Sequence, residues 1–175
     1  DIYTLLNDSK GRLWIPTNSG TGLVLIDKGK QINQFPVDGK NRKFLYVSTL
    51  KEVEPDVFIL GTLKQELYRY DMKKETLKTI SSQDLNLHDN VKPGAISAIL
   101  TDSLQNIWIS FFGSGIYCFD REMNLIKQYT DTTGVTDGYI YTMVQDKNQY
   151  LWALSGNSLY YYEPETDRFI SVHNA

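Results

Sequence analysis

One string recurs in this chain at regular spacing, and an internal repeat constrains a fold more tightly than composition does. It reads Asp8-Ser-Lys-Gly-Arg-Leu-Trp14-Ile15, then Asp102-Ser-Leu-Gln-Asn-Ile-Trp108-Ile109, then Asp146-Lys-Asn-Gln-Tyr-Leu-Trp152-Ala153. The Asp-to-Trp spacing is six each time. Trp108 and Trp152 stand 44 residues apart, and Trp14 and Trp108 stand 94 apart, so a degenerate copy is expected between them. Glu52-Val-Glu-Pro-Asp-Val-Phe58-Ile59 fills that place, with Glu for Asp and Phe for Trp. The repeat anchors are therefore Asp8, Asp102 and Asp146, with Trp14, Phe58, Trp108 and Trp152.

The likeness extends to both sides. Ile2-Tyr-Thr-Leu-Leu-Asn-Asp8 parallels Ile96-Ser-Ala-Ile-Leu-Thr-Asp102 and Ile140-Tyr-Thr-Met-Val-Gln-Asp146. Leu23-Val-Leu-Ile-Asp27 parallels Leu67-Tyr-Arg-Tyr-Asp71, Ile116-Tyr-Cys-Phe-Asp120 and Leu159-Tyr-Tyr-Tyr-Glu163. A last apolar run closes each copy, at 32–35, 77–80, 125–129 and 169–172. Each copy thus holds four short strand-like runs, separated by turn clusters such as Asn18-Ser19-Gly20 and Gly113-Ser114-Gly115. Four antiparallel strands in this length make a β-propeller blade. The runs are too short and too β-branched for helical spacing, and residues 81–90 read as a loop. The expected fold is all-β, four blades at about 1–43, 44–93, 94–138 and 139–175, forming part of a larger propeller of the seven-bladed type.

In such a blade the Trp or Phe opening the second strand fills the gap between blades, and the Asp accepts backbone N–H bonds in the turn. A Ca²⁺ loop is disfavoured for these acids, since Asp146-Lys-Asn-Gln-Tyr-Leu offers Tyr and Leu where oxygen ligands belong. Four blades in a row leave open edges. These are met by closure on themselves, by a second copy in a homodimer, or by further blades of a longer parent; the last two are preferred.

Composition agrees with strands: 12 Tyr, 7 Phe and 3 Trp stand in 175 residues beside many β-branched ones. A net charge of −3 argues against nucleic-acid or anionic-membrane binding. Cys118, the single cysteine, sits among Ile116, Tyr117 and Phe119 and reads as a buried, inert thiol. No stretch approaches a membrane span and no signal peptide is recognisable. Because Asp1 comes first, the chain is expected to be a processed or excised piece.

The pattern I-x-x-[IL]-[LV]-x-D-x-x-[GNQ]-x-[LI]-W-[IA], followed by a small-residue turn and [LI]-x-x-[FYI]-[DE], resembles the two-component regulator propeller repeat. Gly134-Val-Thr-Asp-Gly-Tyr-Ile140-Tyr-Thr-Met-Val-Gln-Asp146 matches that family's inter-blade loop and first strand especially well. The resemblance covers essentially the whole chain. The second copy departs from it at Glu52, Pro55 and Phe58, and the third has Gln105-Asn106 where Gly is usual. The resemblance implies an extracytoplasmic (periplasmic) sensor region of a hybrid two-component histidine kinase, with carbohydrate as the expected stimulus. Kinase activity would lie outside this chain.

The residues themselves suggest no catalysis. His88 and His173 are isolated from Cys and Glu at ligand spacing, so no zinc site or catalytic triad is expected. Asn18-Ser-Gly-Thr-Gly22 lacks the Lys of a phosphate loop. No metal and no cofactor are expected. Binding is the better expectation, on the face where strand two-to-three loops and inter-blade loops emerge together. There Asn18, Gln65, Phe112, Tyr139 and Asn157 are the candidate residues for an oligosaccharide, since sugars are held by aromatic faces and planar polar groups. The competing expectation is a protein-interaction scaffold with no small ligand.

Overall fold

The structure, a computed structural model, describes residues 4–16, 23–33, 46–81, 83–85, 87 and 94–172. The chain divides into two compact units, Asp1–Ser81 and Ser82–Ala175. Each unit holds two four-stranded antiparallel sheets, and each sheet takes its strands from one copy of the repeat in chain order. Blade 1 is β1 (Leu6–Asn7), β2 (Leu13–Pro16), β3 (Leu23–Asp27) and β4 (Lys30–Asn33). Blade 2 is β5 (Val47–Glu54), β6 (Val57–Thr62), β7 (Leu67–Asp71) and β8 (Thr76–Ile80). Blade 3 is β9 (Ile96–Thr101), β10 (Ile107–Phe111), β11 (Gly115–Phe119) and β12 (Leu125–Tyr129). Blade 4 is β13 (Ile140–Gln145), β14 (Leu151–Ser155), β15 (Leu159–Glu163) and β16 (Arg168–Ser171). The described residues include a three-residue 3-10 turn, Asp131–Thr133, and no α-helix. The fold is that of propeller blades.

The Asp-x₅-Trp string is a hydrogen-bonded device repeated three times. Asp102 Oδ1 accepts the N–H groups of Leu104 (2.9 Å) and Asn106 (2.8 Å), while Oδ2 accepts the indole N–H of Trp108 at 2.8 Å. Asp8 does the same with Lys10, Arg12 and Trp14, and Asp146 with Asn148, Tyr150 and Trp152. The spacing of six follows from geometry: the turn reverses the chain so that the indole comes back over the carboxylate. Gly11, Gln105 and Gln149 occupy one station of this turn, with φ of 74°, 69° and 72°. Glycine adopts that left-handed conformation freely, and the two glutamines hold it against their Cβ.

Cross-strand register separates Phe58 from the tryptophans. Trp14 pairs with Leu25, Trp108 with Cys118 and Trp152 with Tyr161, each two residues past the aligned apolar residue (Leu23, Ile116, Leu159) of its third strand. The corresponding pair in blade 2 is Ile59 with Arg69, while Phe58 pairs with Tyr70. Counting six from Glu52 therefore lands one residue early. The physical reason is an irregular β5–β6 hairpin, whose register shifts between Glu52 and Glu54. A one-residue slip turns a side chain to the opposite sheet face. Phe58 accordingly faces blade 1 and lies against Trp14, with ring centroids 4.6 Å apart.

In each unit the core fills the space between its two blades. In the first, Trp14, Leu23 and Leu25 meet Phe58, Leu60, Tyr68 and Tyr70. In the second, Trp108, Ile116, Cys118 and Tyr129 meet Met143, Leu151, Tyr160 and Phe169. The blade 1–blade 2 junction also holds a charged network. Arg12 bridges Asp8 Oδ2 (2.6 Å) and Asp56 Oδ1 (2.7 Å), and Lys10 reaches Asp56 Oδ2 at 2.5 Å. Asp8, Arg12 and Asp56 are all buried. The Lys10 ammonium, aided by Arg12 and opposed by burial, holds the Asp56 carboxyl down from 3.8 to about 2. Burial pushes the Asp8 carboxyl up, but the donors of Trp14, Arg12 and Lys10 outweigh it and leave it below its usual value.

Candidate binding site

The second unit brings several loop residues together at one end of blades 3 and 4. Phe112 follows β10, and its N–H donates to the Ala95 carbonyl at 2.8 Å. The next N–H, of Gly113, donates to the Gly138 carbonyl at 2.9 Å. The strand two-to-three loop is thereby tied to the segments entering both blades. Close approach requires glycine here: a Cβ on Gly94 would collide with the Phe112 carbonyl.

The aromatic rings gather on that frame. Phe112 lies edge-on to Tyr139, with centroids 4.9 Å apart, and 5.6 Å from Tyr141. Tyr139 and Tyr141 are 54% and 55% exposed, so their rings form a ledge open to solvent. Beside the ledge stands Asp137. Its Oδ1 accepts the Tyr139 N–H at 3.1 Å and its Oδ2 accepts the Asn157 amide at 3.4 Å. The Asp137 N–H is held in turn by the hydroxyl of buried Tyr160 at 3.1 Å. Asn157 sits in a β14–β15 turn organised by Ser155 Oγ, which accepts the N–H groups of Asn157 and Ser158.

Phe112, Tyr139 and Asn157 are therefore brought together, with Asp137 as the link. Gln65 lies in the other unit, exposed at φ 68° in the Thr62–Glu66 turn, its N–H bonded to the Thr62 carbonyl. Asn18, His88 and His173 lie outside the described residues. Sequence reasoning missed Tyr141 and Asp137. Both stand in the inter-blade string singled out above, but strand alternation alone does not say which face of β13 is open. Chemically, the ledge offers ring faces to apolar C–H surfaces, and a carboxylate and an amide to hydroxyl groups. Among the described residues no group of three or more His, Cys, Asp or Glu is placed to hold a metal ion.

A separate groove of about 530 Å³ runs between blades 3 and 4, near the Asp102 turn. Trp108, Cys118 and Tyr129 form its floor. Asp167 stands at its mouth, paired with Lys127 and accepting the hydroxyls of Tyr129 (2.7 Å) and Tyr162 (2.9 Å). Burial pushes the Tyr129 hydroxyl well above its usual range. Burial, with the charge of Asp102 second, pushes the Cys118 thiol up to about 12. Such a thiol is no nucleophile at neutral pH.

Comparison with known proteins places this geometry. No family model matches the chain. Over 138 residues, 77% of the chain, it is 30% identical to histidine kinase P4 of Formosa agariphila, of which it spans 10%. An extracellular domain ascribed to a hybrid two component system of B. thetaiotaomicron superposes on 98% of the chain with a TM-score of 0.79 and 19% identity; the chain spans 23% of that structure. Virginiamycin B lyase from Staphylococcus aureus superposes on 97% of the chain with a TM-score of 0.70 and 16% identity, over 54% of its own length. At such identity the lyase shares the fold, and fold alone carries no activity. In sequence the chain is thus similar to a segment of a histidine kinase, and in fold it is a run of β-propeller blades like those in the extracellular domain of a hybrid two-component system.

Proposed function

We propose that this chain is a non-catalytic, extracytoplasmic sensor segment of a bacterial two-component histidine kinase, and that the ledge of Phe112, Tyr139 and Tyr141 takes a carbohydrate. One observation carries the reading: exposed aromatic rings converge on a carboxylate–amide pair, Asp137 and Asn157, on a frame fixed by backbone bonds. Ring faces would stack on the C–H face of a sugar while Asp137 and Asn157 take its hydroxyls. Likeness to the histidine kinase and to the extracellular domain supports the sensor role. Calorimetric titration with a panel of neutral oligosaccharides tests it. The expected result is saturable binding by at least one, weakened about tenfold or more by Tyr139→Ala or Tyr141→Ala, the scale of one lost stacking contact. Binding that survives both substitutions unchanged, or no binding across the panel, refutes the assignment of the ledge. A protein-interaction scaffold is the second reading, favoured by the exposed apolar residues Val144, Leu154 and Leu159 on blade 4.

A further inference from the structure

Hydrogen-bond donors and acceptors around the aromatic ledge are unevenly spent. The backbone N–H groups of its frame point inward: Phe112 donates to Ala95, Gly113 to Gly138 and Ser114 to Phe111, at 2.8–2.9 Å. The Asn157 N–H goes to Ser155 Oγ, and its side-chain amide is directed at Asp137 Oδ2. The Asp137 N–H is held by the Tyr160 hydroxyl. A carboxylate has room for about four hydrogen bonds. Asp137 receives one at each oxygen, from the Tyr139 N–H at 3.1 Å and from Asn157 at 3.4 Å. Room for about two further donors is left, and a ligand has to bring them.

Charge points the same way. Asp137 forms no ion pair with a lysine or arginine among the described residues. The faces of Phe112, Tyr139 and Tyr141 carry the negative side of the ring quadrupole, which attracts a cation and repels an anion. The tyrosine hydroxyls donate or accept alike and favour neither sign. An acidic group on the ledge would thus meet a carboxylate and ring faces, with the neighbouring amide donors already engaged. An ammonium group would find open lone pairs and a ring face beside them. Asp137 also ties its loop to the Asn157 turn, but that structural role does not depend on the charge of a ligand.

We propose that Asp137 sets the charge selectivity of the ledge, so that it favours an amino sugar and excludes acidic ones, uronates and sulfated sugars alike. The inference rests on the ledge being the carbohydrate site proposed above. The test titrates the ¹⁵N-labelled chain with glucose, glucosamine and glucuronate, which share one ring and differ in one group. Amide shifts at residues 137–141 report the affinity. At about pH 6 the amine is protonated and the acid ionised. Glucosamine is expected to bind about threefold tighter than glucose, and glucose about threefold tighter than glucuronate, the scale of one exposed charge pair. Raising the salt from about 0.02 M to about 0.5 M should narrow that spread in the parent chain. Asp137→Asn should weaken all three sugars and shrink the spread to about twofold or less, since hydrogen bonding survives in part and the charge does not. Equal affinities, or glucuronate bound most tightly, overturn the charge selectivity and leave the ledge as a sugar site. A spread that persists through both Asp137→Asn and high salt overturns the role of Asp137. No shift at Tyr139 or Tyr141 with any of the three sugars refutes the ledge as a sugar site, and this inference with it.

Discussion

The Asp102–Trp108 hydrogen bond is the most direct handle on what holds a blade together. Asp102→Ala removes the acceptor for two backbone N–H groups and for the indole. The two backbone groups lie in an exposed turn and regain water, so their loss is modest. The indole regains far less, because Trp108, on the floor of the groove between blades 3 and 4, is only 4% exposed. A buried donor left without a partner costs about 1–3 kcal/mol, and with the loosened turn the total is about 2–4 kcal/mol. Trp108→Phe removes the same donor while keeping a ring in the gap. If the indole bond carries the effect, Asp102→Ala should cost about 1–2 kcal/mol less in the Trp108→Phe background than alone. Urea unfolding followed by far-UV circular dichroism on the four proteins gives that coupling. Blade 4 supplies the internal control. Trp152 is half-buried, so the N–H freed by Asp146→Ala meets water and the loss should be clearly smaller. Coupling near zero, or equal losses at 102 and 146, would refute the argument that burial of the indole decides the magnitude.

Three other outcomes are expected. Gln105→Gly relieves a left-handed residue at a station where Gly11 serves in blade 1, and should stabilise the second unit by about 0.5–1 kcal/mol in the same urea assay. Asp56 is held at about 2 chiefly by Lys10, so its contribution is complete above its usual value of 3.8 and is lost as pH falls through about 2. Urea midpoints measured between about pH 5 and about pH 2 should therefore fall, and Lys10→Ala should flatten that fall. Cys118, with its thiol near 12, should resist a thiol reagent at about pH 8 in the folded chain and react fully in denaturant; reaction at equal rates in both would show an open core.

The legible part of this fold is its repetition. The Asp-x₅-Trp strings, the turn clusters and the closing apolar runs each correspond to a hairpin or strand that local chemistry dictates. The indole bond to the carboxylate was not legible. The acid was expected to bind backbone N–H groups, which it does, and only the reversal of the chain shows that Trp reaches the same side chain. Phe58 misleads for the complementary reason. Its spacing from Glu52 copies the pattern, but the register shift in β5 moves the pattern by one residue, and spacing carries no register. At the candidate site, Phe112, Tyr139 and Asn157 were foreseeable as loop residues of one face. Tyr141 lies within a strand, and whether its side of β13 is covered depends on tertiary packing that no short string encodes.

The degenerate second copy is best understood as the same station put to another use. With Phe58 and Ile59 near the tryptophan position, blade 2 has no indole donor there, and an Asp facing back over its own turn would lack its deepest partner. Glu52 is one methylene longer and turns outward. It accepts the Ser9 N–H at 2.6 Å, the Ser9 hydroxyl at 3.0 Å and the Asp56 N–H at 3.1 Å. Ser9 belongs to the Asp8 turn of blade 1, so the acid now ties one blade's turn to its neighbour's. Asp56, left-handed at φ 69° in that altered hairpin, is carried to Arg12 and Lys10 of the same turn. The substitutions that weaken the repeat at Glu52 and Phe58 are thus coupled: losing the indole frees the acid, and the irregular hairpin delivers both a ring to Trp14 and a carboxylate to Arg12. Glu52→Ala should accordingly loosen the blade 1–blade 2 junction rather than the β5–β6 turn alone. Faster amide exchange at Ser9 and Lys10 in blade 1 would report it, whereas change confined to residues 52–56 would show that Glu52 serves only its own hairpin.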